Sequence, residues 1–128
     1  MLPVEWFAPD IDGISFKLFD MWNEKQYRDD EFWNAHKRQW VFMVRYKEGY
    51  KYEWSNKKLH CGRFPLNACS KVVQSNYDVL HMGWAREVDR IEKYNRYMVA
   101  DGSGTDGSLQ QYISILDKNP CVKEYKKI

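Results

Sequence analysis

The stretch Tyr77 to Asp101, YDVLHMGWAREVDRIEKYNRYMVAD, constrains the fold more than any other part of the chain. Residues 77–82 read as a short apolar strand with His81 at its end. Gly83 lets the backbone turn sharply, and an amphipathic helix is expected from about Trp84 to Ala100. Trp84, Val88, Ile91, Tyr94 and Met98 recur at spacings of three or four, which puts them on one helical face. Asp89 to Lys93 and Glu92 to Arg96 are favourable i,i+4 pairs, each worth about 0.2–0.5 kcal/mol. Asp101-Gly102 stops the helix. A histidine at a strand end beside a glycine turn is placed to present itself to a ligand. The plainer alternative is a strand-end histidine satisfied by a backbone carbonyl.

The other elements follow from shorter patterns. Residues 1–13 form a lead-in loop broken by Pro3, Pro9 and Gly13. ISFKLFD (14–20) alternates as a strand with Ile14, Phe16 and Leu18 on one face. Residues 26–38 read either as a short helix capped by Asp29 or Asp30 or as a loop with one helical turn. WVFMVRY (40–46) is a buried strand, and Glu48-Gly49 turns it into a second strand through Tyr50, Tyr52 and Trp54, making a hairpin. Residues 55–67 form a loop around Gly62 and Pro65. After DGSGTDGS, Ser108 starts a second helix to about Leu116, ended by Asn119-Pro120. VKEYKKI is a basic tail. The resulting class is α+β: a small mixed or antiparallel sheet followed by two C-terminal helices, in a single domain over 1–128.

Bulk properties narrow the functions. Twenty basic and 18 acidic side chains leave a net charge of +2, too balanced to point to nucleic acid. No apolar run approaches the roughly 20 residues that span a bilayer. The start MLPVEWFAPDIDG lacks the basic and apolar pattern of a signal peptide, so a cytoplasmic protein is expected. Cys61, Cys69 and Cys121 are odd in number and irregularly spaced, so free buried thiols are expected and neither a disulfide framework nor a zinc site. Six Trp, nine Tyr and six Phe are a high aromatic share. Such rings stack on the C–H faces of sugars, but core packing is the expected fate of all but one or two of the tryptophans.

From about Ile14 to Pro120 the chain resembles bacterial family 2 glycosyltransferases. The likeness is carried by Tyr27-Arg28-Asp29-Asp30, by His60-Cys61-Gly62-Arg63 with Pro65, by His81-Met82-Gly83-Trp84, by Lys93-Tyr94-Asn95-Arg96-Tyr97, and by Ile115-Leu116-Asp117. The resemblance implies the C-terminal half of a GT-A fold, which transfers a sugar from a nucleotide diphosphate sugar to a polysaccharide or related glycan acceptor. It implies a divalent metal, manganese or magnesium, on the diphosphate, normally held by an Asp-x-Asp element in the donor-binding N-terminal half. That half is absent here. The one D-x-D string, Asp10-Ile11-Asp12, precedes the first strand.

By position, the resemblance makes His81 the metal or diphosphate ligand. Arg86, Arg90 and Lys93 would approach the diphosphate, and Arg63 and Trp84 would contact substrate. Asp29 and Asp30 are candidates for the catalytic base that an inverting transfer needs near the acceptor hydroxyl. The alternative is a helix cap and a solvated acid. The chain is then a transferase domain that is inactive alone or dependent on self-association or a partner carrying the donor half. The competing expectation is a non-catalytic module binding carbohydrate or protein.

Overall fold

A computed structural model describes residues 2–127. Five strands and two α-helices follow one another as β1 (Gly13–Asp20), β2 (Gln26–Arg28), β3 (Gln39–Val44), β4 (Val72–His81), α1 (Glu87–Asp101), α2 (Leu109–Ser114) and β5 (Val122–Glu124). Short 3-10 turns cover Val4–Phe7, Ala35–Lys37 and Met82–Trp84. The main sheet has the order β3-β1-β4, and β2 pairs with β5 in a second, two-stranded sheet. β1 lies antiparallel to β3 and parallel to β4. The sheet is therefore mixed, as expected, and the domain is α+β.

β1 is the central strand and the most buried one, with Ile14 and Leu18 buried on one face. Its parallel register with β4 pairs Asp20 with His81, so the two strands end side by side. Beyond them the chain builds a tryptophan core. The rings of Trp22, Trp33 and Trp84 meet edge to face or stacked at 4.9–6.0 Å, with Ile115 completing the cluster. Each such pair is worth about 0.5–1.5 kcal/mol beyond its burial. The Arg28 guanidinium lies 4.6 Å from the centre of the Trp22 ring and bonds to Asp30, Asp117 and the Ser114 carbonyl. The aromatics of residues 22, 33 and 84 are thus core, as expected of most tryptophans; Trp54 is exposed.

Several expectations are corrected. Tyr50, Tyr52 and Trp54 form no strand. The turn at Gly49 is present, with φ 71°. However, the Lys47 N–H that would begin a ladder donates to the Tyr52 hydroxyl at 2.8 Å, and Tyr50 packs edge-on against Tyr52. Side-chain capture of a backbone donor competes with strand pairing. Residues 26–38 hold the unexpected β2, a turn in which Asp30 Oδ1 accepts from the N–H groups of Phe32 and Trp33, and a 3-10 turn at Ala35–Lys37, so of the two readings the loop with one helical turn is the one present. α1 begins at Glu87, after the 3-10 turn, and Asp89 pairs with Arg86 instead of Lys93. The basic tail contains β5. Cys61 and Cys121 are exposed and Cys69 is half-buried, so the thiols are free but not buried. The second helix is shorter than its pattern, and its Ser108 cap accepts from Gln111 N as expected.

Candidate functional site

The ends of β1 and β4 open into a cleft of about 330 Å³. Asp20, Trp40, His60, Arg63, His81 and Tyr97 line it, with the edges of Trp33 and Trp84 at its base. The site is assembled by strand alternation. Leu18 and Asp20 face this side of β1, whereas Lys17 and Phe19 face the opposite side.

His81 Nδ1 is 3.0 Å from Asp20 Oδ1, with side-chain exposures of 41% and 12%. A carboxylate only accepts, so Nδ1 carries the proton and Nε2 is the ring's free nitrogen. Nε2 stands over Gly83: a Cβ there would lie 2.8 Å from it and would also meet Lys93 Nζ. Two nitrogens thus converge on space that only glycine leaves open. Lys93 donates to the Gly83 carbonyl and lies over the Trp84 ring at 4.4 Å. Burial pushes its ammonium below the ordinary lysine value.

Of the sequence candidates, the structure places His81, Trp84 and Arg63 on one cleft, with Lys93 against Gly83 and the Trp84 ring. The other candidates go elsewhere. Asp29 is held by Lys123 at 2.5 Å and by His36 at 3.2 Å. Asp30 is held by Arg28 and caps its own turn. Both carboxylates therefore have structural partners that account for them, and neither lines the cleft. Arg86 is exposed and paired with Asp89, while Arg90 donates to the carbonyls of Trp22 and Trp84. In the Asp10-Ile11-Asp12 string, Asp10 pairs with Lys71. Burial opposes ionisation of Asp12, but bonds from Lys47 and the N–H groups of Lys71 and Ser70 outweigh it and hold the carboxyl below its ordinary range.

A divalent cation at His81 can be tested on the donors present. Among the described residues no three His, Cys, Asp or Glu side chains come together to hold a metal ion. His81 offers one nitrogen, and an ammonium stands beside it. With Nδ1 protonated, Nε2 is a lone-pair donor to a cation, whereas the ammonium suits a phosphate oxygen, so among the described residues the side chains around His81 do not by themselves make a metal centre.

A second polar constellation faces the same cleft. Tyr112 donates its hydroxyl to buried Asp101 at 2.8 Å, and Asp101 also accepts from the N–H groups of Thr105, Asp106 and Gly107. His60 Nε2 is 2.9 Å from the Tyr112 oxygen. Desolvation, with Asp101 alongside, raises the Tyr112 phenol far above its ordinary value, so it stays protonated. Sequence reading missed Asp20, Tyr97, Asp101 and Tyr112 as members of this site. The one available signal was that the strand 14–20 ends on a carboxylate as the strand before Met82 ends on a histidine.

In comparisons with known proteins, no family model, no curated protein and no solved structure matches this chain.

Proposed function

We propose that this chain is a glycosyltransferase-type domain whose cleft receives the diphosphate and sugar of a nucleotide diphosphate sugar. The observation that carries the reading is the approach of Lys93 Nζ and of Nε2 of His81, a residue that lines the aromatic cleft, to the space over Gly83. In sugar transfer the acceptor hydroxyl attacks the anomeric carbon, and the bond to the diphosphate breaks with its electron pair on the leaving oxygen. Charge grows on that oxygen, so fixed cationic donors stabilise the transition state. Lys93 supplies one such donor. His81 supplies another when Nε2 is protonated, with Asp20 keeping the ring oriented. Aromatic edges from Tyr97 and Trp40 offer apolar surface for a sugar ring. The carboxylate that deprotonates the acceptor is not assigned to Asp29 or Asp30, whose partners occupy them. On this reading the base, the diphosphate metal and the remaining donor contacts belong to a donor-binding half outside these residues.

Calorimetric titration with uridine diphosphate, guanosine diphosphate and free sugars, with and without manganese, tests this. Binding of a diphosphate that falls about tenfold or more in Lys93→Met supports the reading. Binding of free glycans without diphosphate would instead favour a carbohydrate-binding module. No binding of either would overturn the proposal.

A further inference from the structure

Residues 54–65 leave and return at one point. Leu66 N donates to the Glu53 carbonyl at 2.7 Å, Glu53 N to Asn67 Oδ1 at 2.9 Å, and Asn67 Nδ2 to the Lys51 carbonyl at 3.1 Å. A segment closed at its neck and without helix or strand is an Ω-loop. It reaches across to the cleft, where His60 and Arg63 line the wall. Its anchors there are few. Arg63 lies 4.4 Å from the centre of the Phe42 ring, and His60 packs near Tyr97 and bonds to Tyr112.

The His60 contact has the features of a built latch. Because the Tyr112 hydroxyl donates to Asp101, its oxygen accepts from His60, which fixes the proton on Nε2. His60 is the one non-glycine residue with positive φ among the described residues, at 57°. A conformation of that kind persists where surrounding contacts hold it. Gly107 leaves room for the bond: a Cβ there would meet the Tyr112 hydroxyl and lie 2.7 Å from His60 Nε2. Three separate segments, 101–107, 112 and 60, thus converge on one hydrogen bond at the cleft wall.

We infer that residues 54–65 are a cover over the cleft, latched by His60 on Tyr112, with Tyr112 and Asp101 as positioning residues that place Arg63 against the bound ligand. The ligand part of this inference rests on the diphosphate-sugar reading; the latch does not. With the latch closed, Arg63 adds a cation to the lining of the cleft that also holds His81. With it open, the cleft loses that part of its lining.

Limited trypsin digestion tests the latch, because Lys57, Lys58 and Arg63 lie within the cover. Tyr112→Phe removes the hydroxyl and keeps the ring, and His60→Ala removes the latch from the exposed side. Loss of the hydrogen bond in Tyr112→Phe should raise cleavage after these residues by about three- to tenfold, and His60→Ala, which also loses the stacking of the His60 ring on Tyr112, should raise it at least as much. Cleavage after Arg90 and Arg96 in α1 should stay at the wild-type rate. Unchanged cleavage within 54–65 in both variants would overturn the inference, as would an equal acceleration in α1, which would make the bond part of the general core. Uridine diphosphate then serves as ligand probe. Its affinity should fall in Arg63→Ala and in Tyr112→Phe alike, and an unchanged affinity in both would overturn the positioning role. If the wild type binds no uridine diphosphate, the functional reading fails, and the digestion alone decides the latch.

Discussion

Among the described residues two histidine–aspartate pairs sit on opposite sides of β1. His81 and Asp20 are 3.0 Å apart at the cleft mouth; His36 and Asp29 are 3.2 Å apart with both side chains 11% exposed. The chemistry is the same and the surroundings are not. His36 stacks on Phe19 and meets Tyr27 edge-on, and Asp29 gives its second oxygen to Lys123. Burial pushes the His36 imidazole below its ordinary range. The Lys123 hydrogen bond holds the Asp29 carboxyl low against its own burial. With Lys123, that pair ties the end of β2 to the 35–37 turn and to β5, closed in by Phe19 and Tyr27. The other pair leaves His81 Nε2 beside Lys93, open to a ligand. Consecutive residues Phe19 and Asp20 point to opposite faces, so one strand end serves both pairs. A histidine–carboxylate contact is thus evidence of function only where one of its atoms remains available.

Disabling the structural pair should have the largest effect on stability. Asp29→Ala leaves His36 and Lys123 without their partner and should cost about 2 kcal/mol in urea unfolding, with diphosphate binding to the folded protein unchanged. Asp20→Ala should do the reverse: a partly exposed pair contributes about 0.5 kcal/mol, but loss of ring orientation should weaken diphosphate binding about tenfold in calorimetry. If both variants weaken binding equally, the distinction between the pairs collapses. Gly83→Ala sharpens the comparison, since its Cβ must displace His81 and Lys93. It should lower diphosphate affinity at least as much as Asp20→Ala and leave the thermal midpoint close to wild type.

The smallest effect is a pH dependence. His36 titrates below the ordinary value of 6.5 in the folded chain because burial disfavours its charge. Unfolding therefore takes up a proton as pH falls below about 6.5, and stability declines through that window until the folded ring also protonates. His36→Phe keeps an aromatic ring in place and should remove this slope from denaturation curves measured between pH 7.5 and 5.

Periodicity made β1, β3, the end of β4 and both helices legible as elements, but not their burial: β3, read as a buried strand, is half-buried to exposed, and Val88 and Ile91 of the apolar helix face are exposed. It failed for Tyr50 to Trp54, where alternating aromatics pack on one another and a phenol takes a backbone N–H. β5 was hidden in a charged tail because its partner, β2, is distant in sequence. Within the site, His81 stood out as a strand-end histidine, and Arg63 and Trp84 by the glycosyltransferase resemblance. Asp20 did not, since its meeting with His81 depends on the parallel register between β1 and β4, which no local pattern encodes. Asp29 and Asp30 read as candidate bases because a sequence shows a carboxylate without its partners. The partners here, Lys123, His36 and Arg28, take away the freedom a base needs.

Imidazole nitrogen spectra of the isotope-labelled chain during uridine diphosphate addition test the central claim most directly, because both histidines report in one sample. The account predicts saturable movement of the His81 ring resonances and none at His36. A silent His81, or His36 moving in step with it, would contradict the assignment of the cleft pair as the functional one.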